Sequence, residues 1–484
     1  MGNLIKNELI KIFKKKGTYI VLIIFFLYVI LANCLYKYMG TYTSYDYRTD
    51  DEYIETRRSE INNIDINSDR QHYIDCKTDI DFYDLYKKYD KDSWQAYIIK
   101  RDFYNYLYNI NVYKYGTEAD KQGLEENPEE VYNSEIEKLS NDNWKAYVQD
   151  EISSLKSQIE SINIMNNYTD SSLKNEDMEA QISSLKLNLE LAQMRLDKDI
   201  PYGDDFLNNA IEVRRNSAFL DTNLDKPNMS YQDKLSKQKS IENNELAKYV
   251  LETKQDVNNQ QNLRGILINS FDEYSIFILI FIVMIAGAIV SSEFEKGTIK
   301  MLLVKPFERG KILLSKYIVS LMMIVFIFAI TIVFQLIVGG VIFGFDSLSI
   351  PAVVYNFDTN SIQTINLFKY LLIIAVNKLP LYILLATLAF AISSLFGNTV
   401  IAVVLPILGN MAGAIINQLA SYYSIKQLAI FPTLNWDFTE FLFGKLPSYE
   451  FTSLPFAACV CVVYWIIMVG VAWIAFKKRE IKNI

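Results

Sequence analysis

The sequence predicts an all-α membrane protein: six transmembrane helices, with a large, mainly helical extracellular domain inserted between the first and second spans. Three observations carry this. Several apolar runs reach the roughly 20 residues a helix needs to cross about 30 Å of hydrocarbon. The chain is 51% hydrophobic with a net charge of -8, yet that average joins two unlike parts. Residues 41–273 hold 46 acids and 28 bases, a net of -18, while the remaining 251 residues net +10 and contain nearly all the long apolar runs. Finally, the short basic flanks fall on one side of the membrane only if the number of spans is even.

The elements follow in order. Residues 1–17 form a basic amphipathic helix with Lys6, Lys11, Lys14, Lys15 and Lys16. Residues 18–39 make the first span, longer than a signal-peptide apolar region and followed by no small-residue cleavage pattern, so an anchored helix is expected. The block 40–273 comes next. The second span, 274–292, is followed by a charged segment, 293–316, with six bases. The third span is 317–343, then a loop, 344–369, and the fourth span, 370–396. Asn377-Lys378-Leu379-Pro380 interrupts that span, and Lys378 is expected to extend its ammonium to the headgroups. The fifth span is 399–417, the segment 418–455 follows, and the sixth span, 456–476, ends in the basic tail 477–484. Lys and Arg in short flanks mark the cytoplasmic side. Both termini and 293–316 are therefore expected on the cytoplasmic side of a bacterial cell membrane, with the acidic block outside.

The acidic block is long enough for a core of its own. Met178, Ile182, Leu185, Leu189, Ala192 and Leu196 recur at alternating three- and four-residue spacing, as do Ile152, Leu155, Ile159 and Ile162 upstream. Such stripes suit coiled-coil-like packing seams rather than ligand surfaces. Turn-rich residues 166–170 between them predict an antiparallel helical hairpin. Asp92 and Asp142 each precede a Trp-led helical stretch and suit N-caps. The tyrosines dense between Tyr42 and Tyr115 either fill the core or, if exposed, offer amphipathic contact surface. Four cysteines exclude a disulfide scaffold; Cys34, Cys459 and Cys461 lie in apolar runs, and Cys76 is alone in the acidic block. The single histidine, His72, leaves no histidine-based metal centre to expect.

The stretch EFEKGTIKMLLVKPFERGKILLSK, residues 293–316, is the most informative. Carboxylates at Glu293 and Glu295 suit a helix terminus, Gly297 a bend and Thr298 a cap, and Arg309, Lys311 and Lys316 the headgroup region. With the basic start through Lys14 and Lys15, and with Lys300, Leu302-Leu303, Pro306, Arg309, the turn Ser393–Asn398 and the basic tail, this stretch resembles the permease subunits of ABC-2 type transporters, in the form whose first extracellular loop is enlarged. The resemblance covers the membrane half. It implies that the N-terminal helix and the 293–316 segment dock onto a separate cytoplasmic ATPase, with coupling through Lys14, Lys15, Glu293, Glu295, Gly297, Thr298, Lys300, Pro306 and Arg309. It also implies that 418–455 is an external re-entrant helical hairpin closing the path.

No GxxxxGK[ST] loop is present to cradle phosphates, and no catalytic constellation stands out. The chain is therefore expected not to be an enzyme and to bind no cofactor itself; ATP and Mg belong to two copies of a partner ATPase. Gln335 and Asn410 are polar groups inside spans, costly against lipid and expected to face protein or a cavity. Gly409 and Gly413 allow close helix approach, and Tyr422 and Trp436 fall in the expected outer gate. The expected function is the membrane permease of an exporter, working as a dimer with itself or a homologous permease. Its cargo is expected to be a cationic or amphipathic peptide, in the manner of antimicrobial peptide resistance, because opposite charge steers association. Alternatives are a lipid or glycan exporter, or a peptide sensor or scaffold signalling through the 293–316 loop. Membrane lipid is a partner in each case; nucleic acid is not.

Overall fold

The computed structural model of the protein describes residues 1–40, 46–124, 127–141, 143–168, 176–203, 205–223, 229–257, 259–298 and 308–478. They form two compact units, Met1–Gly40 with Val257–Ile484, and Thr41–Asp256. Both are mostly helical.

The first unit opens with α1 (Gly2–Lys14) and α2 (Lys16–Gly40). Extended backbone at Lys15 separates them. The second unit then runs through α3 (Asp51–Ile61), α4 (Arg70–Tyr86), α5 (Trp94–Ile98), α6 (Tyr104–Tyr115), α7 (Pro128–Ser140), α8 (Trp144–Tyr168), α9 (Glu176–Asp197), α10 (Phe206–Asn223) and α11 (Tyr231–Thr253). Its core gathers Phe82, Leu85, Ala96, Ile98, Ile99, Phe103, Leu139 and Val148. The heptad-like stripes are a packing seam into that core: Leu155 and Ala192 are buried in it, and Ile152, Leu185, Leu189 and Leu196 pack on it. The turn expected between α8 and α9 lies partly outside the described residues, as does Asp142. At the other Trp-led stretch the cap is Ser93, which accepts from Ala96 N–H, rather than Asp92. Many tyrosines go to packing: Tyr86 and Tyr147 are buried, and Tyr104 stacks beneath the Arg48 guanidinium.

The chain returns to the first unit with α12 (Leu263–Glu273), α13 (Ser275–Glu295) and α14 (Arg309–Phe343). A two-stranded antiparallel hairpin follows, β1 (Ala352–Asn356) on β2 (Ser361–Ile365), then α15 (Leu367–Phe396), α16 (Thr399–Tyr423) and α17 (Leu454–Lys478). Among the described residues, six helices (α2 and α13 to α17) are long and apolar enough to cross a membrane. More than half of the most apolar 18-residue stretch of α13 and of α15 is buried, against under a quarter of the same stretch in α2, α16 and α17, so α13 and α15 form the centre. Gly287 makes one contact possible: a Cβ there would stand 3.0 Å from the Ala402 carbonyl oxygen of α16. Polar side chains inside the bundle bond across helices, as expected where water is absent. Tyr317 OH hydrogen-bonds Thr387 Oγ1 at 2.7 Å and accepts from Trp465 Nε1 at 2.7 Å, joining α14, α15 and α17.

Three expectations change. The third span's helix begins at Arg309, eight residues before the apolar run, because nothing between Arg309 and Lys316 breaks a helix. The loop 344–369 contains the β-hairpin, whose β-branched residues suit a pleated surface. The segment 418–455 is not a helical hairpin: α16 runs on to Tyr423, and three short 3-10 turns follow at Lys426–Ile430, Pro432–Leu434 and Phe438–Gly444. Pro432 and the left-handed backbone at Phe443 and Gly444 keep this stretch from a regular helix.

Candidate functional site

At one end of the bundle, α1, α13 and α14 meet in an ion-pair lattice. The helix α1 is amphipathic: Ile12 is buried and Ile5, Leu9 and Phe13 pack on the main core, Phe13 edge-on to Phe326 at 5.2 Å. Glu8 shares that inward side and is 7% exposed. Its Oε2 lies 2.8 Å from Nζ of Lys316 in α14, and its Oε1 lies 2.7 Å from Nζ of Lys11. Glu293, in the last turn of α13, places Oε1 2.9 Å from Lys316 and 3.0 Å from Lys11. Lys316 is fully buried, and its third contact is the Ile289 carbonyl at 3.1 Å. Three protein oxygens thus surround one ammonium, two of them accepting its hydrogen bonds. Two carboxylates and two ammoniums cancel, which makes the burial tolerable.

Titration follows this geometry. Burial pushes the Glu8 carboxyl up, but Lys316 and Lys11 outweigh it and hold its pKa below the ordinary 4.5. Burial works against the Lys11 ammonium, but Glu8 and Glu293 outweigh it and raise its pKa. Lys15 goes the other way: partial desolvation, then Lys296 and Lys316, pull its pKa down. The second oxygen of Glu293 is buried without a hydrogen-bond partner among the described residues. Beside the lattice is an open recess of about 660 Å³, lined by Lys11, Lys14, Lys15, Lys296, Glu8 and Glu293, among others. Its bases outnumber its acids, so it favours an anionic occupant.

Glu295 does separate work. Its carboxylate accepts from Thr399 N at 2.6 Å and Thr399 Oγ1 at 2.9 Å, at the start of α16, where the exposed N–H groups favour negative charge. The turn into α16 is built for this: Gly397 ends α15 at φ 65° and Asn398 caps α16 through Ile401 N–H. Ser291 Oγ adds a 2.7 Å bond to Thr399 Oγ1. Glu293 and Glu295, two residues apart, therefore clamp different helices.

The remaining coupling residues divide. Lys14 and Lys15 line the recess. Gly297 sits at φ 66° just past α13, and Thr298 Oγ1 donates to the Glu293 carbonyl at 3.4 Å. Arg309 is exposed at the first turn of α14. Lys300 and Pro306 lie outside the described residues. Lys316 does not reach for headgroups: partners 308 and 23 positions away hold it inside the protein. No local pattern marks Glu8 and Lys316 as a pair; a carboxylate on the apolar side of an amphipathic helix is the one available signal.

A second cluster lies at the other end of α13, since Asp272 precedes its first residue. Lys378, 5% exposed within α15, bonds Asp272 at 2.5 Å and Asp437 at 2.9 Å. It therefore does not extend to the headgroups, because two carboxylates meet it inside the unit. A recess of about 240 Å³ opens beside it, with Asn410, Ser275 and Tyr382 in its wall. Trp436, next to Asp437, packs on the main core. Gln335 lines neither recess. It is fully buried, receives Tyr274 OH at 2.8 Å, and exchanges amide bonds with Asn33 at 2.9 and 3.1 Å. Gly413 meets Thr433, whose Cγ2 would be 2.3 Å from a Cβ, rather than a helix; Gly409 has open space. Tyr422 is exposed, edge-on to Tyr423.

Residues 233–482 match a protein family described as a protein of unknown function, DUF2705. That is more than half of the chain. The chain belongs to the DUF2705 family. The DUF2705 match takes in α12 to α17, with Glu293, Lys316 and Lys378, while Glu8 and Lys11 lie before it. Among curated proteins the chain is similar to the uncharacterized protein YhcI of Bacillus subtilis (strain 168), 27% identical over 211 residues, covering 43% of this chain and 66% of YhcI. It is also similar to the uncharacterized membrane protein YdbK of the same organism, 27% identical over 200 residues, covering 41% of this chain and 76% of YdbK. No solved structure matches. With its six apolar helices and a relative named as a membrane protein, this DUF2705 chain is a multi-pass membrane protein.

Proposed function

We propose that the chain is the membrane-spanning subunit of an ATP-driven exporter of ABC-2 type, working as a dimer with two copies of a separate ATPase. The observation that carries this is the lattice of Glu8, Lys11, Glu293 and Lys316. It ties an amphipathic helix lying outside the spans to the ends of α13 and α14, beside a basic recess. A force applied to α1 or to the segment after α13 would reach α14 through buried ion pairs and α16 through Glu295. The three basic flanks favour the cytoplasmic side for this end, where an ATPase would grip it. The acidic block would then lie outside, where its net charge of -18 favours a cationic peptide as cargo. The Lys378 recess, with two carboxylates for one ammonium, offers such a cargo a charged station inside the bundle.

Glu293 holds the fold together, so its reversal tests stability before coupling. Lys14 and Lys296 are the sharper probes: both are exposed and line the recess. Lys14→Glu with Lys296→Glu should leave the chain folded and inserted but lower co-purification with the partner ATPase. Undiminished co-purification and undiminished stimulation of ATP hydrolysis would overturn the coupling role.

A further inference from the structure

The chain's single histidine and the single cysteine of the second unit meet beside a glutamate. His72 and Cys76 are one helical turn apart on α4, and Glu60 is in the last turn of α3. Cys76 Sγ is 3.8 Å from His72 Nε2 and 3.8 Å from Glu60 Oε2, and His72 Nε2 is 3.8 Å from Glu60 Oε2. The donors form an equilateral triangle. From these distances, a point equidistant from all three is about 2.2 Å from each, inside the roughly 2.0–2.3 Å range of zinc bonds to oxygen, nitrogen and sulfur.

We infer that Glu60, His72 and Cys76 form a binding site for a zinc ion, with a fourth position open to solvent. The donor set decides the metal class. One thiolate, one imidazole and one carboxylate suit a borderline-soft divalent ion, not magnesium or calcium, which take oxygen. Cys76 is buried while His72 and Glu60 are half-exposed, so the ion has a buried side and an open face. Tetrahedral geometry needs the donors to close by only a few tenths of an ångström.

Arg57 is the group that could oppose a cation. Its Nη1 donates to Cys76 Sγ at 3.3 Å and Glu60 Oε2 at 3.1 Å, while Nε is held by Tyr53 OH at 2.8 Å and Asp79 Oδ2 at 3.1 Å. Those bonds fall on the ligating atoms, the usual place for an outer-shell donor. The charges also balance. Zinc and Arg57 bring three positive charges, and Glu60, Asp79 and the Cys76 thiolate bring three negative. A free cysteine thiol is mostly protonated at neutral pH. That proton leaves for solvent as the sulfur–metal bond forms. The ion would fasten α3 to α4 across the 16 positions that separate Glu60 from Cys76.

Titrating the metal-free full chain in detergent with Co(II) reports a thiolate ligand directly. The expected result is one Co(II) per chain, with a near-ultraviolet sulfur-to-cobalt charge-transfer band and visible bands of tetrahedral intensity, both displaced by Zn(II). Cys76→Ser should abolish the charge-transfer band, although Cys34, Cys459 and Cys461 remain. His72→Ala should weaken binding by roughly tenfold or more, with helical circular dichroism unchanged, and it keeps the test valid if the cysteine variant does not fold. A wild-type chain without the band, a band that survives Cys76→Ser, or affinity unaltered by His72→Ala would overturn the site.

Discussion

Lys316 shows how much a single buried charge can commit a fold. Its ammonium has no access to water and meets three protein oxygens within 3.1 Å. Replacing Lys316 with Met leaves Glu8 and Glu293 sharing Lys11 alone, and breaking one side of such a buried pair costs about 3–5 kcal/mol. The loss should appear as a lower unfolding midpoint in detergent, and adding Glu8→Gln should recover part of it by removing the uncompensated carboxylate. The acid limb of stability tests the same lattice. A carboxyl whose folded pKa lies below its unfolded value stabilises fully above the unfolded value and loses that contribution as pH falls through the folded one. Glu8 should therefore support the native state at neutral pH and withdraw progressively below about pH 4.5. A Glu8→Gln chain should be less stable at neutral pH and lose less on acidification; parallel pH profiles for the two chains would contradict this.

Between elements, glycine matters at crossings rather than by motif. Gly287 lets α13 approach α16 until a Cβ would be 3.0 Å from the Ala402 oxygen and 3.1 Å from Val403 Cγ2. Gly287→Leu forces these helices apart and should cost about 1–3 kcal/mol, as overpacking does. Gly409, on the exposed side of α16, meets nothing within 4 Å. Gly409→Ala should be neutral or stabilise by up to about 1 kcal/mol through helix propensity. Thermal unfolding of the two variants ranks them, and the reverse order would mean that the α13–α16 crossing is misassigned. The GxxxG spacing alone pointed to Gly409 and Gly413, because a repeat of small residues says nothing about which neighbour arrives.

At the scale of the molecule, the described residues of the second unit have a core of their own, built of Phe82, Ile98, Ile99, Phe103 and Val148 without help from the spans. Residues 46–256 produced alone should therefore give a mainly helical circular dichroism spectrum and melt cooperatively; a disordered spectrum would mean that the unit needs the membrane half. If its acidity steers a cationic cargo, its affinity for cationic peptides should fall as salt rises, since screening at about 0.15 M shortens the field to about 8 Å. The proposed sidedness has its own check. Protease added outside right-side-out vesicles should cut within 41–273 and spare both termini, and loss of the N-terminal helix would reverse the orientation.

Much of the architecture was legible before any coordinates. An apolar run of about 20 residues can be satisfied in few ways, so the spans and the helical seam through Leu155, Leu185 and Ala192 follow from short-range periodicity. Lys378 and Lys316 were not legible in this way. The sequence read both as lysines reaching for lipid headgroups, whereas tertiary packing brings Lys378 to Asp272 and Asp437, 106 and 59 positions away, and Lys316 to Glu8, 308 positions away. The same holds for Glu60, His72 and Cys76: the sequence pointed to no histidine-based metal centre, because only the fold brings Glu60 of α3 to the two donors on α4. Hydrophobic period is a local property and survives in one dimension. The partner of a buried charge is chosen by the folded chain, because only there does leaving it unpaired cost several kcal/mol.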